Sequence, residues 1–232
     1  MPIDRVRVLT GDTLTTPYGG GTWAGRGTGI GGEAALQAGL AVKEATLKVA
    51  GAMLQAQPDA LDLVNGEIVE RKTGAARMPL SELSRIVYFR GDTLPPDLPR
   101  ELMQTRHFIT KQYPFAFTNG IQASWLEVDV ETGMVKLLKH WCVEDCGRIV
   151  NPLLVDEQIR GGIVQGLGGA LYEHCTYSAD GQLLVGSMAD YLVPMAAEMP
   201  DIEVGHIETP TAESVLGAKG AGEAGTAGAP GA

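Results

Sequence analysis

The sequence predicts an α+β protein in which long helices pack on mixed sheets to form two-layer lobes. Residues 33–55 and 153–173 carry apolar side chains at helical spacing, which predicts two long helices. Two short turn signals, one at Asn65-Gly66 and one at residues 131–133, each lie between apolar runs and predict β-hairpins. A chain of 232 residues is long enough for one large domain or two small ones.

Composition and charge exclude several classes of function. The net charge of −10 argues against a nucleic-acid partner, because such binding needs clustered Lys and Arg. The N-terminus has no leader-like apolar segment and no stretch has the apolar length of a membrane span, so we expect a cytoplasmic protein. The three cysteines and four histidines lack metal-ligand spacing, which predicts no metal site built from side chains.

The N-terminal third contains a glycine-rich loop that leads into the first long helix. Val6 and Val8 predict a short strand before this loop, and residues 17–32 are too rich in glycine for regular structure. A loop entering a helix N-terminus presents free backbone N–H groups and a positive dipole end, which favour an anion. Arg26 and Thr28 supply further donors for the same anion. The alternative is a plain turn with a solvated arginine.

Hairpins and irregular chain fill the middle of the sequence. Asn65-Gly66 predicts a hairpin between residues 63 and 69, and the proline-rich residues 90–99 predict an irregular excursion. In residues 125–138, apolar side chains recur with a period of two on both sides of the turn at 131–133, which predicts a second hairpin. Asn151 and Pro152 then form a strong helix start, with Asn as N-cap and Pro at the first helical position.

The helix that follows Pro152 has two unlike faces. One face is apolar and is expected to face the core, whereas the other collects glycine and glutamine (Gln158, Gly161, Gly162, Gln165, Gly168, Gly169). Each interior glycine costs about 1 kcal/mol relative to alanine unless something packs closely against it. A neighbouring backbone is one such partner, and a buried cofactor hydrogen-bonded to Gln165 is the other. Strands are predicted near residues 183–185 and 202–207.

The C-terminal segment 217–226 places Lys219 and Glu223 among residues too small to cover them. Such a backbone can approach a flat or anionic ligand, so the segment is interpreted as one wall of a cofactor site. A disordered tail is the first alternative. A dinucleotide fingerprint at Gly220, Gly222 and Gly225 is the second, although turn residues rather than an apolar strand precede it.

Taken together, the motifs resemble one enzyme family, the molybdenum hydroxylases or xanthine dehydrogenase family, and most closely their aerobic carbon monoxide dehydrogenase-like large subunits. They follow the family order from residue 5 to residue 226. The matching stretches are residues 11–13, 17–19, 21–22 with Arg26, 127–129 with 132–133, 144–148 with 151–152, 162–168, 190–191 and 217–225.

The resemblance implies that the chain is the C-terminal half of a molybdopterin-binding subunit. It implies a first subdomain at 1–113, with the glycine loop and long helix, and a second at 114–232. The implied cofactor is molybdopterin with molybdenum, as the cytosine dinucleotide, held by Gly25, Arg26, Gly27, Thr28, Gln165, Lys219, Gly220, Ala221 and Gly222. Glu223 takes the place of the general base, which removes a proton from the attacking hydroxide, and we expect it to be buried among its small neighbours.

The resemblance also implies partners. The N-terminal half of the subunit, a flavin (FAD) subunit and a 2Fe–2S subunit are expected on other chains, and we expect this chain to be a truncated or split-gene form. The small-molecule substrate stays open among carbon monoxide, purines, aldehydes and N-heterocycles. Gly25 and Gly27 stand where relatives carry serine beside the arginine, so those hydroxyl contacts are missing here. The alternative function is a non-catalytic cofactor-binding or assembly subunit of such a complex.

Overall fold

The computed structural model describes residues 1–16, 18–112 and 116–232 and divides them into two compact units. Unit 1 combines Met1–Gly19 with Ala34–Phe108, and unit 2 combines Gly20–Glu33 with Ile109–Ala232. The glycine loop therefore groups with the C-terminal part of the chain. Pro17, which is part of the resemblance, and the boundary predicted between 113 and 114 lie outside the described residues, and that boundary stays a prediction.

Unit 1 is built from two helices and a three-stranded antiparallel meander. The first helix, α1, is Glu33–Leu54, and its residues after Glu33 belong to this unit. The strands are β1 (Leu61–Val64), β2 (Glu67–Glu70) and β3 (Ala76–Pro79), followed by α2 (Leu80–Phe89). The predicted first hairpin is confirmed, since Asn65 and Gly66 join β1 to β2 with φ of 49° and 85°. The core of the unit comprises Leu47, Val49, Ala50, Leu61, Ile68, Leu83, Val87 and Leu94.

The strand predicted at Val6 and Val8 is wrong. The segment forms a short 3-10 turn at Ile3–Arg5 and then irregular chain, and Val6 and Val8 are 50% and 77% exposed. So short an alternating segment forms a strand only where a partner strand pairs with it and covers its apolar face. Among the residues that the structure describes, no strand pairs with this segment.

Unit 2 contains a mixed three-stranded sheet with a long helix packed on it. The strands β4 (Asn119–Val128) and β5 (Val135–Asp145) form the second predicted hairpin, and β6 (Asp201–His206) pairs with β5 in parallel. The parallel pairing is possible because α3, Pro152–Leu171, lies within the connection between β5 and β6. The α+β class with a mixed sheet is confirmed. The strand predicted at 183–185 is wrong, since Leu183 makes only an isolated bridge to Tyr177.

Both faces of α3 are in contact with protein. The Asn151 side chain caps the helix by accepting from the Leu154 N–H at 3.3 Å, as predicted. The buried apolar face packs on the sheet through Ile159, Ile163 and Leu167, with Cys142 and Ile202 in the same core. Leu171, predicted on the core face, is 45% exposed at the end of the helix.

Two glycines of α3, Gly162 and Gly166, pack against the backbone of the C-terminal segment. That segment forms a short helix, α4 (Ala224–Gly228), and not a disordered tail. A Cβ on Gly166 would lie 2.8 Å from the Thr226 carbonyl oxygen, and one on Gly162 would lie 3.2 Å from the Thr226 nitrogen. A neighbouring backbone, the first of the two alternatives, therefore accounts for Gly162. Gly168 lies against Pro194, whereas Gly161 and Gly169 meet nothing within 4 Å, so the expected close contact is wrong for those two. None of the helices in the described part of the chain has the length and apolar character needed to cross a membrane.

Candidate cofactor site

Unit 2 contains a cleft of about 420 Å³ where three parts of the chain meet. The first is the glycine-rich segment before α1, in which Gly27–Gly32 form a π-helix, so the prediction of irregular chain is wrong for those residues. The second is the segment from the end of β5 into α3, and the third is the small-residue segment before α4. The lining residues are Thr22, Gly25, Gly27, Thr28, Cys146, Arg148, Val150, Asn151, Leu154, Val155, Gln158, Ala218, Lys219, Ala221 and Gly222.

The two glycine-rich walls contact each other backbone to backbone. Gly25 has φ of 65°, and a Cβ placed on it would lie 2.8 Å from the Gly220 Cα atom. The fully buried Glu33 carboxylate accepts from the Leu216 N–H at 3.0 Å, which anchors the start of α1 to the C-terminal wall. Glycine at position 25 is therefore required twice, by its positive φ and by the close approach.

The ammonium group of Lys219 is paired inside the protein. Its Nζ lies 3.0 Å from Asp145 Oδ1, with side-chain exposures of 12% and 8%. Burial alone would raise the pKa of Asp145, but donation from the Gly147 N–H, the Lys219 ammonium and the Thr209 N–H lowers that pKa below its usual value. The carboxylate thus stays ionised and offsets the charge of Lys219 beside the cleft.

Arg148 is the cation of the cleft that lacks such compensation. It follows Gly147, whose φ of 71° turns the chain out of β5 toward α3. Its side chain is exposed, and no carboxylate pairs with the guanidinium among the residues described by the structure. With the Thr22 and Thr28 hydroxyl groups and the Gln158 amide in the same lining, the donor chemistry suits an anionic or hydrogen-bonding ligand.

Six of the ten residues selected from the sequence line this cleft. They come from both glycine-rich segments that were interpreted from the sequence as ligand-binding. These residues are Gly25, Gly27, Thr28, Lys219, Ala221 and Gly222.

The other four lie outside the lining formed by described residues. Arg26 stacks its guanidinium 5.5 Å from the Trp23 ring centroid, and Gly220 donates its N–H to the Ala116 carbonyl at 3.1 Å. The Gln165 side-chain oxygen accepts from the Thr226 hydroxyl at 3.1 Å. Glu223 follows the lining residue Gly222 as the N-cap of α4, and it is exposed rather than buried as expected. Small neighbours alone do not cover it.

Sequence reasoning did not select five lining residues with functional groups. They are Thr22, Cys146, Arg148, Asn151 and Gln158. Arg148 could have been found, because it stands between a predicted strand and the N-cap Asn151, where a turn exposes a side chain. The Cys146 thiol is buried, and burial raises its pKa, so it is not a reactive thiolate.

Comparisons with known proteins show the family of the chain. A family model described as a molybdopterin cofactor-binding domain matches residues 1–200. The chain belongs to this molybdopterin-binding family. The family predicted from the sequence motifs is therefore confirmed.

Relatives of this molybdopterin-binding chain include large subunits of oxidoreductases. It is 34% identical over 99% of its length to the nicotine 6-hydroxylase large subunit of Paenarthrobacter nicotinovorans, covering 28% of that protein. It is 29% identical over 96% of its length to the carbon monoxide dehydrogenase large chain of Hydrogenophaga pseudoflava, covering 27%. The chain thus spans under a third of these relatives.

Solved structures give the same fold. Quinoline 2-oxidoreductase from Pseudomonas putida 86 matches with a TM-score of 0.79 and 33% identity, over 94% of this chain and 27% of that one. A Cu,Mo-CO dehydrogenase in its carbon monoxide reduced state matches with a TM-score of 0.78 and 27% identity, over 95% and 27%. Within the described ranges no group of three or more His, Cys, Asp or Glu side chains is placed to hold a metal ion.

Proposed function

We propose that this chain is the C-terminal part of the molybdopterin-binding large subunit of a molybdenum hydroxylase of the xanthine dehydrogenase and carbon monoxide dehydrogenase type. The observation that carries the proposal is the cleft formed by both glycine-rich walls and the start of α3, in a chain of the molybdopterin-binding family. The relatives named above are large subunits of hydroxylases and dehydrogenases. The chemistry is oxidation of a small substrate with oxygen from water.

The residues of the cleft fit a molybdopterin carrying a cytosine dinucleotide. Gly25 and Gly222 line the cleft without side chains that would obstruct a flat ring system, and Arg148 with Thr28 offers donors for phosphate oxygens. Arg26, Gln165 and Gly220 shape the walls from behind the lining. When bound, the cofactor supplies two-electron redox chemistry through its molybdenum.

Glu223 is the proposed general base of this reaction. It immediately follows Gly222 of the lining and projects as an exposed carboxylate at the N-cap of α4. There it accepts a proton from the oxygen nucleophile that attacks the substrate carbon. The rest of the large subunit covers this carboxylate in the proposed enzyme, and FAD and 2Fe–2S partner subunits carry the electrons away.

Replacement of Glu223 by Gln in the complete enzyme tests this role. General-base removal is expected to lower kcat by about a hundredfold or more, while molybdenum content stays at the wild-type level. Turnover is measured as substrate-dependent dye reduction with nicotine, quinoline, hypoxanthine, benzaldehyde and carbon monoxide. The exposed Glu131 in the β4–β5 turn serves as the matched control, since Glu131→Gln should change neither quantity. Wild-type turnover of Glu223→Gln would refute the assignment.

A further inference from the structure

A chain of three polar side chains crosses from the sheet of unit 2 to the segment that carries Glu223. Ser124 and His140 are cross-strand neighbours in β4 and β5, and the Ser124 hydroxyl lies 2.8 Å from His140 Nδ1. His140 Nε2 lies 3.1 Å from Gln122 Oε1. The Gln122 amide nitrogen donates to the carbonyl oxygens of Ala224 and Gly225, at 3.3 and 3.1 Å.

The hydrogen-bonding groups settle the direction of every link. Two carbonyl oxygens can only accept, so the Gln122 side chain presents its nitrogen to them and its oxygen to His140. His140 Nε2 must therefore carry a proton, and its Nδ1 accepts from the Ser124 hydroxyl. His140 is fully buried, and burial lowers its pKa, so the ring stays neutral and the chain keeps one arrangement.

The backbone on both sides of Glu223 is held by glutamine amides. Gln158 on α3 donates to the Gly222 carbonyl at 3.2 Å, just before Glu223, and Gln122 holds the two carbonyls just after it. On the far side of α4, the Thr226 hydroxyl donates to the Gly162 carbonyl at 3.0 Å. The Glu223 side chain itself is exposed, so its direction depends on this backbone.

We infer that Gln122, set by His140 and Ser124, is a positioning residue for Glu223. The inference rests on the proposed function, because it gives the network a role in proton transfer by Glu223. Gln122 fixes the first turn of α4 and with it the direction in which the carboxylate leaves the backbone. A small displacement of a general base is costly, since proton transfer needs hydrogen-bond distance to the reacting group.

The test uses Gln122→Met in the complete enzyme, because Met keeps the length of the side chain and removes its amide. Loss of two hydrogen bonds to α4 is expected to lower kcat about tenfold, with KM and molybdenum content unchanged. Amide hydrogen exchange over residues 223–228 is expected to speed up by a similar factor, which is a readout independent of substrate. Gln182→Met, at an exposed glutamine, is the matched control.

A double variant that combines Gln122→Met with Glu223→Gln distinguishes a positioning role of Gln122 from a general structural role. If Gln122 acts through Glu223, then Gln122→Met lowers kcat no further in the Glu223→Gln background. Ser124→Ala is a smaller change at the end of the hydrogen-bond network farthest from Glu223. It is expected to lower kcat about two- to threefold.

Three results would overturn the inference. The first is a wild-type kcat in both Gln122→Met and Ser124→Ala. The second is a loss of molybdenum in proportion to the loss of kcat. The third is that Gln122→Met lowers kcat by the same factor in the wild-type and Glu223→Gln backgrounds. Wild-type turnover of Glu223→Gln would overturn the proposed function instead, whatever Gln122→Met does to hydrogen exchange.

Discussion

At the residue scale, the charge of Lys219 is offset by Asp145, a residue far away in the sequence. Lys219 was selected from the sequence because it stands among glycines and alanines, and it does line the cleft. Its partner lies at the end of β5, and the two side chains are only 12% and 8% exposed. No local pattern predicts that pairing, since strand and loop come together only in the folded chain. The same holds for Arg148, since only the folded chain shows that no carboxylate among the described residues pairs with its guanidinium.

Asp145→Asn should destabilise the protein in a pH-dependent way. It leaves Lys219 buried without a counter-charge, which is expected to lower the free energy of unfolding by about 3 kcal/mol at pH 7. The pKa of Asp145 is depressed in the folded state, so its contribution is full above the unfolded pKa and is lost as pH falls through the folded value. Urea denaturation at pH 7 and below about pH 3 measures this. An equal loss at both pH values, or one matched by the exposed Asp97→Asn, would contradict the account.

At the scale of elements, sequence patterns predicted the long helices, both hairpins and the strand β6, but they failed on two short strands. The helices α1 and α3 and both hairpins follow from apolar spacing, a capping Asn151 and turn residues such as Asn65-Gly66. The short strands predicted near Val6 and near Leu183 were wrong, because a strand depends on a partner that local sequence does not reveal. Of the glycine face predicted on α3, Gly162 packs against α4, whereas Gly161 and Gly169 meet nothing within 4 Å.

Two glycines of α3 make this contact testable. A Cβ on Gly166 would lie 2.8 Å from the Thr226 carbonyl oxygen and 2.9 Å from the Ala229 Cβ atom, whereas one on Gly161 meets nothing within 4 Å. Gly166→Ala is therefore expected to lower the free energy of unfolding by about 2 kcal/mol through overpacking. Gly161→Ala is expected to raise it by up to about 1 kcal/mol through helix propensity. Similar effects of both substitutions in thermal or urea unfolding would show that α3 and α4 are not in close contact.

At the scale of the whole molecule, the family and the two glycine-rich walls of the cleft were predicted from motifs spread along the chain. The exposure of Glu223 was not, because its small neighbours suggest burial and only the folded backbone shows where the side chain points. The chain spans under a third of the relatives named above, so its proposed activity depends on protein outside it. The cleft itself is formed within unit 2.

The central claim is that this cleft holds a molybdenum cofactor, and metal content tests it most directly. The native protein should be purified with whatever accompanies it, then analysed for metal by mass spectrometry and for nucleotide released on acid treatment. The account predicts stoichiometric molybdenum together with a released pterin nucleotide. A stable complex that contains this chain but neither molybdenum nor nucleotide would contradict it and would favour an assembly subunit.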